Sequence, residues 1–435
     1  MSSSPGNSPA KKPRFYYGWL IVWLSFATLG FHVVTRFSFG IFQVPLLEEF
    51  GWSRGLLSGA FSLSMATYAI GAPFAGSLLE KKGPRAIMPW GSVILGLTFI
   101  SCFFVSSLWH LYILFGLFAG YGLSLSGFST HSAIIPRWFV RKRGRATGIA
   151  LSGIGIGILV LAPLIERLIA SVGWRYTYMI FGLVLLCVVA PAAFVLLRDV
   201  PEDVGQGPDG GPPRTPEEMA RAGVGHGGEG KGVWEVFTVV KRDIRFWCLL
   251  LMVFAIGLNN NTIMSQLQLY LVDVGYGTAL AAVIFGSVGF IRTFGSIGGG
   301  WVGDIIGRGR GVALAAVVVA AGLTLLILIP HFGGGILPGY AFALVYGIGI
   351  GAMSACYSAL AGDCFGGRTY GVIIGFMEIC YGLGGVVGAP FAGFMFDYTK
   401  SYLIPFLTII AFMFVSLALA LWLQAYMKRH GLEPR

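Results

Sequence analysis

The sequence predicts an all-α integral membrane protein built from twelve transmembrane helices in two pseudo-symmetric six-helix bundles. Three observations predict it. Of the 435 residues, 56% are hydrophobic and only 11% charged, whereas soluble domains carry about 25% charged residues. Twelve apolar segments are each long enough to cross a bilayer, which takes ~20 residues of helix. A residue pattern that follows the second segment recurs after the eighth.

The twelve segments run over about 17–44, 55–79, 86–107, 109–135, 146–170, 174–197, 246–272, 278–302, 311–331, 337–362, 369–395 and 402–427. Their length and the lack of period-two alternation indicate helices, because a chain in lipid must satisfy its own backbone. The polar start MSSSPGNSPAKKPR precedes an apolar run too long for a signal-peptide core, so that run is expected to be a retained first span. A stretch rich in Pro, Gly and charge, Arg198 to about Gly232, reads as a flexible linker. VWEVFTVVKRDIRFW after it suits an interfacial helix leading into the seventh span. The expected organisation is therefore a tail 1–16, a first bundle 17–197, a linker 198–240, a second bundle 241–427 and a tail 428–435.

The net charge of +11 invites a nucleic-acid partner, but its distribution excludes one. With the N-terminus in the cytoplasm, 24 of the 30 basic residues fall on that side; only Arg54, Arg167, Arg175 and Lys400 fall outside, and Arg36 and Arg292 lie within spans. Such a bias sets topology. It places both termini in the cytoplasm, and the cell (inner) membrane is the expected location. The six cysteines form no CxxC pair, so neither a disulfide framework nor a zinc site is implied. GIGIG at 153–157 and GLGGVVG at 382–388 lack the strand–helix setting of a nucleotide loop, and no Walker sequence is present. No cofactor, metal or enzymatic reaction is expected, and the chain is expected to act as a monomer.

Gly76, Glu80 and Gly83 recur as Gly300, Asp304 and Gly307, each shifted by 224 positions, and RATG at 145–148 answers RTYG at 368–371. One six-span unit thus occurs twice, and two such halves with a site between them are a transporter architecture.

These residues resemble the major facilitator superfamily. GSLLEKKGPR (76–85) is similar to its loop motif after the second span, with Glu80 in place of the usual aspartate, and GWVGDIIGRGR is a degraded second copy. YYGWLIVW (16–23), RFSFGIFQVPLLEEFGWSR (36–54), RWFVRKRGRATGIALSG (137–153) and the position of Arg292 further resemble the monocarboxylate transporter group and its bacterial relatives, including oxalate:formate antiporters. The resemblance implies the twelve-helix fold, proton-coupled transport of a small monocarboxylate, and an arginine in the eighth span that meets the substrate carboxylate. It departs at Val288, where the animal proteins carry an acid one turn before that arginine. It departs again at Glu378, where the oxalate type carries a cation.

Arg292 sits mid-span, where a charge costs roughly 3 kcal/mol on insertion scales. A planar guanidinium matches a carboxylate with two parallel hydrogen bonds. Its counter-ion is either substrate or a resident acid such as Glu378. Ser296 shares its face. In the first span Arg36 reads either as a substrate attractor or as a gate pair, and His32 as a titrating group or a hydrogen-bonded structural one. Asn259 and Gln266 form a polar stripe in the seventh span that suits a hydroxyl or keto oxygen or, equally, interhelical bonding. Tyr121 and Tyr346 are candidate pocket walls. Glu378 is the only acid deep in a span, a candidate proton carrier or static partner. Glu80, Arg85, Asp304, Arg308 and Arg137 stand at cytoplasmic ends and are candidates for gating between halves. The partners expected are thus a small carboxylate, a proton and the bilayer. Proton-independent anion exchange, and a non-transporting receptor on the same fold, are the alternatives.

Overall fold

The computed structural model describes residues 16–140, 142–215, 217–218, 233–332, 335–365 and 370–430. Among the described residues, twelve helical spans are long and apolar enough to cross a membrane: Gly18–Phe50, Arg54–Ala75, Pro84–Phe104, Leu108–Ser126, Arg145–Val172, Trp174–Leu196, Ile244–Asp273, Thr278–Ile306, Arg308–Phe332, Ile336–Phe365, Ile373–Thr399 and Leu403–Arg429. No strand occurs among the described residues. The halves meet where the second span packs on the eleventh, the fifth on the eighth, and the Phe39–Phe50 part of the first on the seventh.

The internal repeat has a backbone counterpart. Gly51 (φ 64°) and Gly275 (φ 97°) stand at the turns after the first and seventh spans. Gly83 (φ 79°) and Gly307 (φ 94°) stand after the second helix and the eighth. Each pair is 224 residues apart, and each needs a left-handed backbone that glycine adopts without a Cβ clash.

Three expectations are corrected. The first span is two helices, Gly18–Phe37 and Phe39–Phe50, separated at Ser38 just after Arg36. The fourth is not continuous over 109–135. It breaks at Gly127, whose extended backbone (φ −83°, ψ −160°) separates Gly120–Ser126 from Phe128–Trp138. Two imidazoles meet the carbonyls at this break: His32 Nδ1 lies 2.9 Å from Ser126 O, and His131 Nδ1 2.9 Å from Gly127 O, which also accepts from the His131 backbone N–H. A carbonyl only accepts, so each Nδ1 carries the proton.

The linker is the third correction, because its first part is held rather than free. Arg85 N donates to Asp199 Oδ1 (2.8 Å), Tyr17 N to Gln206 Oε1 (2.9 Å) and Val140 N to Asp209 Oδ2 (3.0 Å). Arg214 pairs with Glu202 at 2.6 Å. Short polar side chains here meet loop N–H groups that have no helical partner. These bonds tie the strap to the first half, at what we term the linker end. The rest of the linker, 219–232, lies outside the described residues. Beyond it, Val233–Val240 is a short helix before the seventh span, which is capped by Asp243.

Candidate functional site

The seventh span carries three consecutive asparagines, all fully buried. Successive helical residues point about 100° apart, so the three amides serve three different neighbours. Asn259 Oδ1 accepts from the Tyr346 hydroxyl of the tenth span at 3.2 Å. Asn260 Oδ1 accepts from Arg292 Nη1 of the eighth at 3.2 Å, and its Nδ2 donates to the Tyr381 hydroxyl of the eleventh. Asn261 Oδ1 accepts from Arg36 Nη2 of the first span at 2.7 Å, across the boundary between halves.

Arg292 is half-buried. Its second nitrogen donates to Ser354 Oγ at 3.1 Å. Both partners are neutral, and among the described residues no carboxylate lies within ion-pair distance of it. The close approach that holds it is backbone to backbone. A Cβ on Gly351 of the tenth span would press on Arg292 O and stand 2.6 Å from Ser296 N. Ser296 is half-buried one turn further along the same helix.

Arg36 lies against three rings, 5.3 Å from the centroids of Phe37 and Tyr68 and 5.8 Å from that of Tyr381. Tyr381 therefore bridges both cations, its ring beside Arg36 and its hydroxyl tied through Asn260 to Arg292. Glu378, one turn earlier on the same helix, is half-buried and in no ion pair among the described residues. The charge that acts on it is Arg36. The arrangement is a polar cluster of two cations and one acid, drawn from spans 1, 7, 8, 10 and 11. A carboxylate meeting Arg292 here would find neutral partners to displace, with no ion-paired acid on that guanidinium among the described residues.

Several expected site residues lie elsewhere. Gln266 is seven residues, about 10 Å of helix, beyond Asn259. It donates to Ser58 Oγ at 2.7 Å and accepts from the Tyr402 hydroxyl at 3.3 Å. It belongs to a seal at the end opposite the linker. There Arg54 Nη2 donates to Asp273 Oδ1 at 2.8 Å, and Nη1 to Asp273 Oδ2 and, at 2.8 Å, to Tyr402 Oη. The Arg54 and Gly55 N–H groups donate to Asp397 at 3.0 and 2.7 Å, and the guanidinium stands 3.9 Å over Phe396. This latch joins the second span to the seventh, eleventh and twelfth.

His32 is buried within the first half, its Nε2 2.9 Å from Ser92 Oγ. With both ring nitrogens engaged there, the structure does not bring it to Arg292 or Glu378. Tyr121 is 44% exposed, and no hydrogen bond joins it to the cluster. Tyr346 is fully buried behind Asn259. Among the gating candidates, Arg308 pairs with Asp363 (2.9 Å) and Asp304 (3.5 Å) inside the second half. The Arg85 backbone N–H bonds Asp199 of the strap. Arg137 is half-buried at the end of Phe128–Trp138, and the Glu80 side chain lies outside what is described. The hydrogen bonds described between the halves run from the first-half segment 36–62, around the cluster or in the latch.

Sequence reasoning missed Asn260, Asn261, Ser354 and Tyr381 in the cluster, and Arg54, Asp273, Asp397 and Tyr402 in the latch. The NNN run and the three-residue spacing from Glu378 to Tyr381 were visible signals. Which asparagine faces which span was not.

The family model of the Major Facilitator Superfamily matches residues 24–389, with a further match over 299–434. The chain is 26% identical over 411 residues to monocarboxylate transporter 13 of Rattus norvegicus, covering 91% of this chain and 86% of that one. It is 27% identical over 415 residues to monocarboxylate transporter 11 of Homo sapiens, covering 92% and 81%. To the uncharacterised MFS-type transporter YcxA of Bacillus subtilis it is 24% identical over 400 residues, covering 91% of each. In fold it is similar to a bacterial homologue of the human lysosomal transporter Spinster, solved inward-facing and unoccupied. The TM-score is 0.71 at 15% identity, over 98% of this chain and 100% of that one. With twelve spans in two packed halves, a charged cluster between them and a family match along most of its length, this chain belongs to the Major Facilitator Superfamily and is a multi-pass membrane transporter.

Proposed function

We propose that the protein carries a small monocarboxylate together with a proton by alternating access, with the linker end in the cytoplasm. The observation that carries the reading is Arg292: a mid-span guanidinium held by Asn260 and Ser354, two neutral groups, and in no ion pair among the described residues. A charge in that setting costs several kcal/mol unless compensated, and a substrate carboxylate supplies the compensation as a bidentate partner. The similarity to proteins named monocarboxylate transporters supports the same class.

Glu378 is the proposed proton carrier. Arg36, Arg292 and ionised Glu378 leave the cluster one positive charge, and a proton on Glu378 together with a monoanion on Arg292 leaves that charge unchanged. Protonating Glu378 gives a cluster of two positive charges, and a bound monoanion leaves one. The proton and the anion then move together, and the halves reorient around them. The distal latch of Arg54 and Asp273 holds the pathway shut on the outer side while the cluster is served from the cytoplasmic side.

The test is uptake of labelled short monocarboxylates into proteoliposomes with an imposed pH gradient, comparing wild type with Arg292→Gln. Uptake should follow the gradient in the wild type and vanish in the variant, with unchanged gel-filtration behaviour. Equal uptake by both would remove the proposal. Uptake that needs internal anion and ignores the gradient would replace symport by exchange.

A further inference from the structure

Ten buried side-chain nitrogen and oxygen atoms make no hydrogen bond among the described residues. Seven of them lie on the first and seventh spans: Ser25 Oγ, Arg36 Nε, both amide atoms of Gln43, Asn259 Nδ2, Thr262 Oγ1 and Gln268 Oε1. Protein interiors leave few such groups, because a buried amide without a partner has lost its water and gained nothing in return. Here they concentrate on two helices that pack on each other between the halves.

Gln43 is the extreme case. It is fully buried, and among the described residues it alone has both ends of its amide unmet. The other glutamines of this region are engaged. Gln266 is bonded at both ends, to Ser58 and Tyr402, and Gln268 Nε2 donates to Thr278 O at 3.0 Å.

The position of Gln43 shows what would meet its amide. A Cβ on Gly40 would stand 3.1 Å from both Met264 O and Ser265 O, so the two halves are in backbone contact there. Gln43 is three residues further along the same helix, Phe39–Phe50, and so within about 60° of the face that Gly40 turns to the seventh span. It therefore sits at the seam between the halves, on the latch side of Arg36. Parting the halves at that end gives the amide to water, and closing them strips the water away.

We infer that Gln43 opposes the distal latch: burying its amide destabilises the outer-closed state and keeps that state close in free energy to the one in which the halves part. The bonds of Arg54 to Asp273 and Tyr402, and of Asp397 to the Arg54 and Gly55 N–H groups, all favour closure. Without an opposing contribution they would hold one state and leave the other unpopulated. The inference rests on the proposed reorientation of the halves, and not on the carboxylate, the proton or Arg292.

The experiment follows Ser58→Cys in the full chain, labelled by a membrane-impermeant maleimide in sealed cells, alone and combined with Gln43→Leu or Gln43→Met. Both changes remove the amide at similar volume. Each should slow labelling about tenfold and raise the melting temperature of the purified protein. An amide held by bonds would instead lose stability on replacement. Labelling that is unchanged or faster in both variants, or a lower melting temperature in both, would overturn the inference and leave the reorientation standing. No labelling of Ser58→Cys in the presence of Gln43 would overturn the reorientation itself, and the inference with it.

Discussion

Asn260 and Asn261 are neighbours in the chain, and each accepts a hydrogen bond from a different arginine: Asn260 from Arg292 at 3.2 Å and Asn261 from Arg36 at 2.7 Å. One helical step thus holds the second half's buried cation on one side and reaches the first half's on the other. Because both acceptors are amides, neither arginine is neutralised, and the cluster keeps its attraction for an anion. Exchanging amide for acid at this point tests the arrangement. Asn260→Asp gives Arg292 the resident counter-ion it lacks, so substrate must compete with a buried ion pair. Carboxylate uptake should fall at least about tenfold, the equivalent of ~1.4 kcal/mol, with no loss of thermal stability. Undiminished uptake in uptake kinetics would show that Arg292 does not need to be free.

Glu378 titrates with transport in this account. Glu378→Gln should abolish the response of uptake to an imposed pH gradient while sparing exchange of internal for external anion. The assay is uptake with and without the gradient, and with and without preloaded anion. A Gln variant that still accumulates substrate along the gradient would move the proton elsewhere.

The Arg54–Asp273 pair closes the distal end. Asp273→Asn should expose the residues behind it. The readout is labelling of Ser58→Cys, beside Gln266, by a membrane-impermeant maleimide in sealed cells. A partly exposed pair is worth up to about 1 kcal/mol, so labelling should accelerate about fivefold. Unchanged labelling would deny the pair a role in closure.

Gly351 sets the distance between the tenth span and Arg292. Gly351→Ala puts a Cβ against the Arg292 carbonyl and Ser296 N, and overpacking of this kind costs about 1–3 kcal/mol. The melting temperature should drop and the apparent affinity for carboxylate should weaken together. A fall in stability with intact affinity would separate packing from the site.

The linker strap has its own pH dependence. Burial raises the Glu202 carboxyl, but hydrogen bonds from Arg214 outweigh it and hold the group below its ordinary value. A carboxylate depressed in the folded state stabilises that state above its unfolded pKa and loses the contribution as pH falls through the folded one. Hydrogen exchange at residues 198–215 should therefore quicken on acidification below the ordinary carboxylate range, and Glu202→Gln should flatten that rise. Identical profiles for the two proteins would exclude the pair as its cause.

The spans were legible because apolar length is a property of composition, and the repeat because Gly83 and Gly307 are required by the same left-handed turn. The break at Gly127 was not legible. It depends on His32 arriving from the first span to meet the Ser126 carbonyl. Gln266 was grouped with Asn259 because both are polar on one helix, but depth along that helix assigns one to the latch and the other to the cluster. Asn260 was passed over because helix rotation, which decides the partner of each of three adjacent amides, is set by packing against spans 8, 10 and 11. The strap was read as loose from its Gly and Pro content, whereas its carboxylates and amide find loop N–H groups that only the fold brings close.

The most direct measurement is solid-state NMR distance recoupling between a 13C-labelled carboxylate, whichever short monocarboxylate is taken up fastest, and 15N-labelled arginine in the membrane-embedded protein. The account predicts close-contact dephasing of the carboxylate carbon in the wild type and its disappearance in Arg292→Gln. Dephasing that persists in that variant, or a saturating substrate with none in the wild type, would contradict it.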